Sequence, residues 1–446
     1  MARKKRPKEP EKDAAATQRA LMIPGQVLDL YNDEGSFTVD AMNAAKQVLA
    51  ARKLRNVETF GVYSDQVNNA PMHGFESPIF QHLFGASAIP ARTLGLIIGD
   101  KVTAKTTMAL TLAGQIMGNV PSMLFYYACG ILPPPDEEYV KRCLSTDKKL
   151  AENMFNKATV LSRVHSLDQW AETLQTHIQT TRGVGTKVAS RVRSLPINQP
   201  IIVVVDNWTS LASPTEATGI QVYAHNMEPK SLEDRRKTDI LAAGANFEHS
   251  KHAHRVARML GPLLHDYNVT MIMTMAQRPE VEFEMSYGPR KSKLEKALHN
   301  DNTLGGNGFS DIAAWQMICA VDGDPRPSII VPGMLKQTIH TRMFSGPHGC
   351  GGRRMKFECY DQYPWDTSEY QSPPLNGARF FLELAAGTGH LGEITTDPKT
   401  ENVSCNLLRQ VDVSPEMLLF HLRYNHAVLF NKICTDLRIH GYVGGQ

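Results

Sequence analysis

The middle of the chain alternates short, continuously apolar runs with segments whose apolar residues recur at helical spacing. Apolar runs of this length, bounded by polar turns, are typical of strands that are buried on both faces. The predicted strands are 94–98, 123–128, 201–206, 269–275 and 312–321. The predicted helices between them are 137–144, 166–179 and 254–265. Because strands and helices alternate, we predict an α/β fold with a mostly parallel central sheet covered by helices on both faces.

The pattern is weaker towards the C-terminus. Residues 329–332 and 354–360 are predicted as two more strands, antiparallel or at the sheet edge, joined by the glycine-rich stretch 345–352. Residues 380–385 and 415–424 have helical spacing, and a polar stretch lies between them. We therefore predict a partly helical C-terminal region.

We divide the chain into four parts on this pattern. They are a basic tail at 1–20, an N-terminal region at 21–88, a core at 89–385 and a C-terminal region at 386–446. The tail is either a solvated end or a source of sequence-independent affinity for phosphates. Helical spacing from Val39 to Leu49 predicts a helix, which is either an oligomerisation arm or an ordinary packed element.

Composition excludes two large classes of protein. Apolar residues make up 42% and charged residues 21% of the 446 positions, as in soluble globular proteins. With no apolar run near about 18 residues and no signal-peptide pattern, the sequence predicts neither a membrane-spanning nor a secreted protein. Seven cysteines without zinc-finger spacing indicate free thiols in a reducing, cytoplasmic compartment.

A phosphate-binding loop is predicted between strand 94–98 and a helix with apolar positions at Met108, Leu112 and Ile116. The fingerprint of such a loop is Gly, four residues, then Gly-Lys-Ser/Thr. The candidate residues are Gly99, Asp100, Lys101, Val102, Thr103, Ala104, Lys105, Thr106 and Thr107. Ala104 stands where the second glycine belongs, and a glycine there allows close approach and positive φ.

Each part of this loop has a chemical role in binding a nucleotide. Backbone N–H groups of the loop and of the helix N-terminus hold phosphate oxygens. Lys105 adds positive charge, and the Thr106 hydroxyl is a ligand for Mg²⁺. The alternative is that Lys105, Thr106 and Thr107 merely begin a helix.

Asp206 ends the clearest buried strand of the chain, Ile-Ile-Val-Val-Val-Asp. An acidic residue at the carboxyl end of such a strand holds Mg²⁺ opposite a phosphate-binding loop. We therefore predict that Asp206 and Thr106 bind the metal of an ATP–Mg²⁺ complex. A simple cap at the end of the strand is the alternative role of Asp206.

Two long polar stretches, 213–250 and 279–307, follow predicted strands. Loops of this length inside a compact domain are usually functional or disordered. The residues predicted to contact DNA phosphates or bases are Arg235, Arg236, Lys237, Tyr287, Arg290, Lys291, Lys293 and Lys296. Each lysine or arginine taken alone is better explained as a solvated loop charge, and it is the set of them on these two stretches that favours DNA.

The order of these motifs resembles that of the RecA-like ATPases, and within them the strand-exchange recombinases of the bacterial RecA and phage UvsX type. The resemblance runs from about residue 89 to about residue 384. It includes the phosphate-binding loop, strand 201–206 with the following Trp208-Thr-Ser-Leu-Ala-Ser213, Met275-Ala-Gln277, and the glycine-rich 303–309. It implies a RecA-like ATPase core preceded by a small N-terminal arm and followed by a C-terminal extension.

The resemblance also implies roles for residues outside the loop. Asp136 and Tyr139 match the segment that packs on adenine, and Gln277 matches the strand end that senses the γ-phosphate. Lys336 is placed like the lysine that reaches ATP across a subunit interface. Lys105 and Gln277 are thus the implied catalytic residues.

The implied partners are single- and double-stranded DNA, other copies of the chain in a helical filament or ring, and a single-strand-binding or mediator protein. No membrane partner is implied. The compartment would be a host cytoplasm or a phage replication compartment.

Cys129 departs from the family pattern, because it stands where the family has the glutamate that orients the attacking water. A thiol cannot polarise water as a carboxylate does, and Glu137 and Glu138 follow at a different spacing. Together with Ala104, this change predicts slow hydrolysis of bound ATP. Two alternatives stay open: a catalytically silent RecA-like scaffold or recombination accessory protein, and a hexameric RecA-like helicase.

Overall fold

The computed structural model describes most of the chain from Pro71 onward, which forms one unit, Pro71–Gln446. The described residues are 71–75, 77–129, 135–164, 166–184, 195–211, 251, 253–277, 293–299, 308–328, 335–346, 350–360 and 366–440. The predictions for the basic tail, for the helix near residues 39–49 and for strand 329–332 lie outside these residues.

Helices and strands alternate through the described residues. In chain order they are β1 (Met72–Gly74), α1 (Pro78–Phe84), β2 (Ala88–Pro90), β3 (Leu94–Gly99), α2 (Lys105–Asn119), β4 (Met123–Cys129), α3 (Glu137–Leu144), α4 (Lys148–Phe155), β5 (Ala158–Val164), α5 (Leu167–Thr181), β6 (Ile201–Asp206), α6 (253–266), β7 (Val269–Ala276), α7 (Lys293–His299), β8 (Ala313–Pro327), β9 (Leu335–Ser345), β10 (Arg354–Tyr360), β11 (Leu375–Asn376), α8 (Ala378–Gly387), β12 (Ile394–Thr396), β13 (Val403–Cys405), β14 (Gln410–Val413), α9 (Pro415–Asn425) and α10 (Ala427–His440).

The large central sheet has the strand order β11-β10-β9-β8-β3-β7-β6-β4-β5. All pairs from β8 to β5 are parallel, whereas β9, β10 and β11 pair antiparallel. This confirms the predicted α/β class with a mostly parallel sheet. Because parallel strands point the same way, the carboxyl ends of β3, β7, β6 and β4 meet at one edge of the sheet, where α/β proteins bind ligands.

Each face of the sheet has its own apolar core. On one face, α2 buries Met108, Leu112 and Ile116, the three positions that the sequence pattern predicts. On the other face, α5 and α6 bury side chains such as Trp170 and Leu260. Helices therefore cover both faces, as predicted. The sheet itself is tightly packed, since a Cβ on Gly95 of β3 would lie 1.9 Å from the Trp315 ring of β8.

Several elements differ from the sequence-based expectations. The strand β9 was not predicted, and the glycine-rich stretch joins β9 to β10. The polar stretch before α9 forms a separate three-stranded sheet, β12-β13-β14, and a further helix, α10, follows α9. Within α6, Met259 is 52% exposed, whereas Val256 and Leu260 are buried.

Candidate nucleotide-binding site

The loop between β3 and α2 has the backbone of a tight, glycine-dependent turn. Gly99 ends β3, and a Cβ there would lie 2.5 Å from both the Cys319 carbonyl oxygen and the Thr103 hydroxyl. Val102 and Ala104 have φ of 62° and 54°, in the left-handed region that side chains disfavour. Ala104 therefore adopts the backbone conformation that a glycine would adopt, in spite of its methyl group.

Lys105 is folded back over this loop. Its ammonium donates to the Asp100 carbonyl oxygen at 2.5 Å and lies 3.5 Å from the Thr103 hydroxyl. Burial lowers the pKa of Lys105, while the charge of nearby Asp206 opposes this shift. Both of these contacts are to neutral oxygens, so the half-buried ammonium can exchange them for phosphate oxygens.

The first turn of α2 supplies backbone donors to the same place. No described residue accepts a hydrogen bond from the backbone N–H groups of Lys105, Thr106 or Thr107. The first N–H groups of a helix have no partner within the helix and carry partial positive charge. Together with the Lys105 ammonium, they form a cradle suited to phosphate.

Asp206 ends β6 beside this cradle and is 2% exposed. Its Oδ2 accepts a hydrogen bond from the Thr106 hydroxyl at 2.6 Å. Two further hydroxyls donate to the carboxylate: Tyr126 of β4 to Oδ2 at 3.3 Å and Thr274 of β7 to Oδ1 at 2.5 Å. The structure thus brings together Lys105, Thr106 and Asp206, the three residues that the sequence predicted to share one site.

The residues present fit a magnesium–nucleotide complex. Mg²⁺ is usually bound by one or two carboxylates together with substrate phosphates and waters, and not by a cage made of protein alone. Thr106 and Asp206 offer such oxygen atoms beside the phosphate cradle. Within the described ranges, no group of three or more His, Cys, Asp or Glu side chains could hold a metal by itself.

Tyr139 lies on α3, next to the first turn of α2, and Asp136 directly precedes α3. The Tyr139 hydroxyl is 2.5 Å from the Thr107 hydroxyl, and burial raises the pKa of Tyr139 well above its usual value. The Asp136 side chain accepts from the Tyr139 backbone N–H at 2.7 Å and so caps α3. The predicted adenine segment is thereby joined to the phosphate loop through Thr107.

Gln277 follows β7 and connects the loop strand to a distant helix. Its backbone N–H donates to the Gly99 carbonyl oxygen at 3.0 Å. Its side-chain amide donates to the Ala297 carbonyl oxygen of α7 at 2.7 Å. Gln277 therefore contacts both the start of the phosphate-binding loop and the helix that lies between 278–292 and 300–307.

Cys129 lies on the opposite face of the sheet from α2. Its side chain is fully buried in the core that contains Trp170 and Trp208. Burial raises the pKa of the Cys129 thiol to about 12, so the thiol is neutral near pH 7. It cannot act as the base that a glutamate would provide at this position.

Lys336 of β9 is held by two carboxylates of the same chain. Its ammonium lies 3.3 Å from Glu358 Oε1 and 2.5 Å from Glu401 Oε1. Arg379 lies within 3.6 and 3.7 Å of the same two carboxylates. The four side chains form a partly buried cluster of alternating charge.

Of the residues predicted to contact DNA, Lys293 and Lys296 lie in α7. The others, Arg235, Arg236, Lys237, Tyr287, Arg290 and Lys291, lie outside the described residues. The predicted contact of these side chains with DNA stays a prediction.

Sequence reasoning missed Tyr126 and Thr274. Both lie inside apolar runs that predict only strands, and both residue types are common in strands for reasons of packing. Their hydroxyl groups belong to the site because β4 and β7 pair with β6 in a register that brings them to Asp206.

No protein-family model matches the chain, and no curated protein matches it significantly. No helix among the described residues is both long and apolar enough to cross a bilayer.

Proposed function

We propose that the chain binds ATP with Mg²⁺ at the carboxyl edge of its central sheet, on a core of the RecA-like type. The observation that carries the proposal is the 2.6 Å hydrogen bond from the Thr106 hydroxyl to Asp206 beside Lys105. It joins the end of the phosphate loop to the acidic end of a separate buried strand. This is the arrangement in which P-loop NTPases hold Mg²⁺.

The strand order supports the RecA-like assignment. β7 lies between β3, which leads into the phosphate loop, and β6, which carries Asp206. Gln277 therefore leaves the sheet next to the loop, where a residue that senses the γ-phosphate would have to be. The sequence motifs occur in the order expected of that family.

We further propose that the protein is a strand-exchange recombinase that assembles on DNA. The support is the contact from Gln277 to α7, because α7 lies within the long basic stretch 279–307. A bound nucleotide could act on α7 through this glutamine and so change the affinity for DNA. Phosphate contacts from lysines and arginines would give binding that ignores sequence and weakens steeply with salt.

Calorimetry with ATP, in MgCl₂ and in EDTA, tests the nucleotide site. Lys105→Ala should abolish binding or weaken it more than about tenfold, because charge-assisted hydrogen bonds are among the strong ones. Lys432→Ala is the control, since Lys432 is an exposed lysine on α10 and lies outside the loop. Equal binding by both variants and the wild type would remove the proposal.

Fluorescence anisotropy with single-stranded DNA tests the recombinase assignment. Affinity should fall steeply with salt and rise when ATP and Mg²⁺ are added. ATP binding without any such coupling would leave a nucleotide-binding protein that is not a recombinase.

A second function, a catalytically silent RecA-like scaffold, is favoured by the position of Cys129. Its thiol is neutral and buried on the far face of the sheet, so it supplies no base for hydrolysis. DNA-stimulated phosphate release that Lys105→Ala abolishes would contradict this second function.

A further inference from the structure

The carboxylate of Asp206 is held by three hydroxyl groups from three different elements. Thr106 of α2 and Tyr126 of β4 donate to Oδ2, at 2.6 and 3.3 Å. Thr274 of β7 donates to Oδ1 at 2.5 Å. Tyr126 and Thr274 are fully buried, so solvent does not provide these contacts in their place.

The sheet register explains why these hydroxyls meet at Asp206. Ala128 of β4 pairs with Asp206, and Tyr126 is two residues earlier, on the same face of the strand. On β7, Met273 pairs with Val205, so the next residue, Thr274, is level with Asp206. The two strands that flank β6 thus each present one hydroxyl to the carboxylate.

The orientation of the carboxylate fixes the orientation of the Thr106 hydroxyl. A threonine hydroxyl has one proton and two acceptor lone pairs. When its proton is donated to Asp206 Oδ2, its lone pairs are available to a cation. A carboxylate that rotates would instead leave the Thr106 proton without a fixed acceptor.

We infer that Tyr126 and Thr274 are positioning residues for Mg²⁺, an inference that rests on the proposed nucleotide site. They hold Asp206 in the orientation that keeps the lone pairs of Thr106 directed at the metal. Neither side chain has to touch the metal or the nucleotide to do so. Partners of this kind, which orient the ligands of a metal, typically contribute 10- to 100-fold to metal affinity.

The two hydroxyls should contribute unequally. The hydrogen bond from Thr274 is short, whereas the bond from Tyr126 is longer than is usual between two oxygen atoms. Loss of the Thr274 hydroxyl should therefore weaken Mg²⁺ binding more than loss of the Tyr126 hydroxyl.

The experiment measures ATP affinity of the full chain by calorimetry across a series of MgCl₂ concentrations and in EDTA. Thr274→Val should raise the half-saturating Mg²⁺ concentration by about tenfold or more, and Tyr126→Phe by a smaller factor. Affinity for ATP in EDTA should equal that of the wild type. Thr274→Ser, which keeps a hydroxyl, should restore the wild-type dependence on Mg²⁺.

Tyr127→Phe is the matched control. Tyr127 is the adjacent residue of β4 and is as deeply buried as Tyr126. Its side chain packs in the core on the other face of the sheet, where its hydroxyl lies 3.0 Å from His177 Nδ1. Tyr127→Phe removes a tyrosine hydroxyl, as Tyr126→Phe does, but this hydroxyl does not contact Asp206. The dependence of ATP affinity on Mg²⁺ should therefore be the same as in the wild type. Tyr126→Phe and Tyr127→Phe together serve as a second test if Thr274→Val unfolds.

Three results would overturn the inference. In the first, Thr274→Val and Tyr126→Phe keep the wild-type dependence on Mg²⁺. In the second, they lose ATP affinity equally in MgCl₂ and in EDTA, as a purely structural role requires. In the third, the ATP affinity of the wild type itself does not depend on Mg²⁺. This result would overturn the proposed metal site as well, and it differs from the other two because it appears in the wild type and not only in the variants.

Discussion

The side-chain amide of Gln277 donates a hydrogen bond to the carbonyl oxygen of Ala297, 2.7 Å away. The same residue contacts Gly99 through its backbone, so it joins the phosphate-binding loop to α7. Arg342 of β9 donates to the next carbonyl of α7, that of Leu298, at 3.2 Å. The C-terminal turn of α7 is thus held from both sides, and one of the two contacts begins at the candidate nucleotide site.

Replacing Gln277 with leucine should separate nucleotide binding from DNA binding. The variant keeps a side chain of similar size, so ATP affinity should stay within about twofold of wild type. It loses the amide that contacts α7, so most of the increase in DNA affinity that ATP causes should be lost. Anisotropy with and without ATP measures both effects.

Gln316→Leu is the control for this variant, because the Gln316 amide also donates to a backbone carbonyl, that of Ser310, at 3.0 Å. Full coupling in Gln277→Leu, or equal loss in both variants, would contradict a specific role for Gln277.

Ala104→Gly should stabilise the protein slightly. Ala104 has a left-handed backbone, which costs a non-glycine residue about 1–2 kcal/mol, and glycine offsets part of that gain by its greater freedom in the unfolded state. We expect the free energy of unfolding to rise by about 0.5–1 kcal/mol in urea denaturation. Ala109→Gly, in the interior of α2, should instead lower it by about 1 kcal/mol or more. If the free energy of unfolding falls in both variants, the packing contacts of the Ala104 methyl group stabilise the protein by more than its left-handed backbone costs.

His73 should make stability depend on pH between about 4 and about 6.5. Its Nε2 lies 2.8 Å from the Thr270 hydroxyl, and burial lowers the pKa of His73 from 6.5 to about 4. Between these values the unfolded chain binds a proton that the folded chain does not, so the free energy of unfolding falls as the pH falls. This one group should contribute a loss of about 3 kcal/mol across the window.

Urea denaturation at pH 7 and pH 4.5 measures this effect. His73→Gln should show a smaller loss than the wild type, because the titrating group is gone. His265→Gln is the control, since the His265 side chain is 74% exposed. A wild-type-like loss in His73→Gln would assign the dependence to other groups.

Lys336→Met should lower the stability of the chain. If Lys336 reaches the ATP of a neighbouring copy, the same variant should also lower assembly on DNA. Removing this ammonium takes one of the two described cations, Lys336 and Arg379, from beside Glu358 and Glu401, and we expect a loss of about 2–4 kcal/mol. Arg379→Met removes the other cation of the same cluster and should cost a similar amount. Sedimentation on single-stranded DNA with ATP distinguishes the two, because only Lys336→Met should lose assembly. Equal assembly by both variants would confine Lys336 to a role within its own chain.

The sequence predicts the central strands well because they are buried on both faces. Residues 201–206 and 269–275 are almost continuously apolar, and only a buried parallel strand or a buried helix has that pattern. The strand β9 was missed because its buried residues, Ile339, Thr341 and Met343, alternate with polar ones. Half of its side chains face away from the core, so the run is not recognisable as apolar.

The residues of the candidate site also differ in whether the sequence alone can predict them. Lys105, Thr106 and Asp206 could be predicted, because a loop motif and a strand end have local sequence signatures. Tyr126 and Thr274 could not, because their role depends on which strands lie beside β6. A contact between residues 68 positions apart, as for Thr274 and Asp206, has no local signature.

The burial of Cys129 on the far face of the sheet also determines whether a base for hydrolysis could be introduced at this position. A glutamate introduced at that position would have to place a charged, longer side chain among Trp170, Trp208 and Leu211. Desolvation without a partner would strongly disfavour the ionised form there. Replacing this one residue would therefore not supply a base for hydrolysis; the neighbouring aromatic residues would have to shrink or move first.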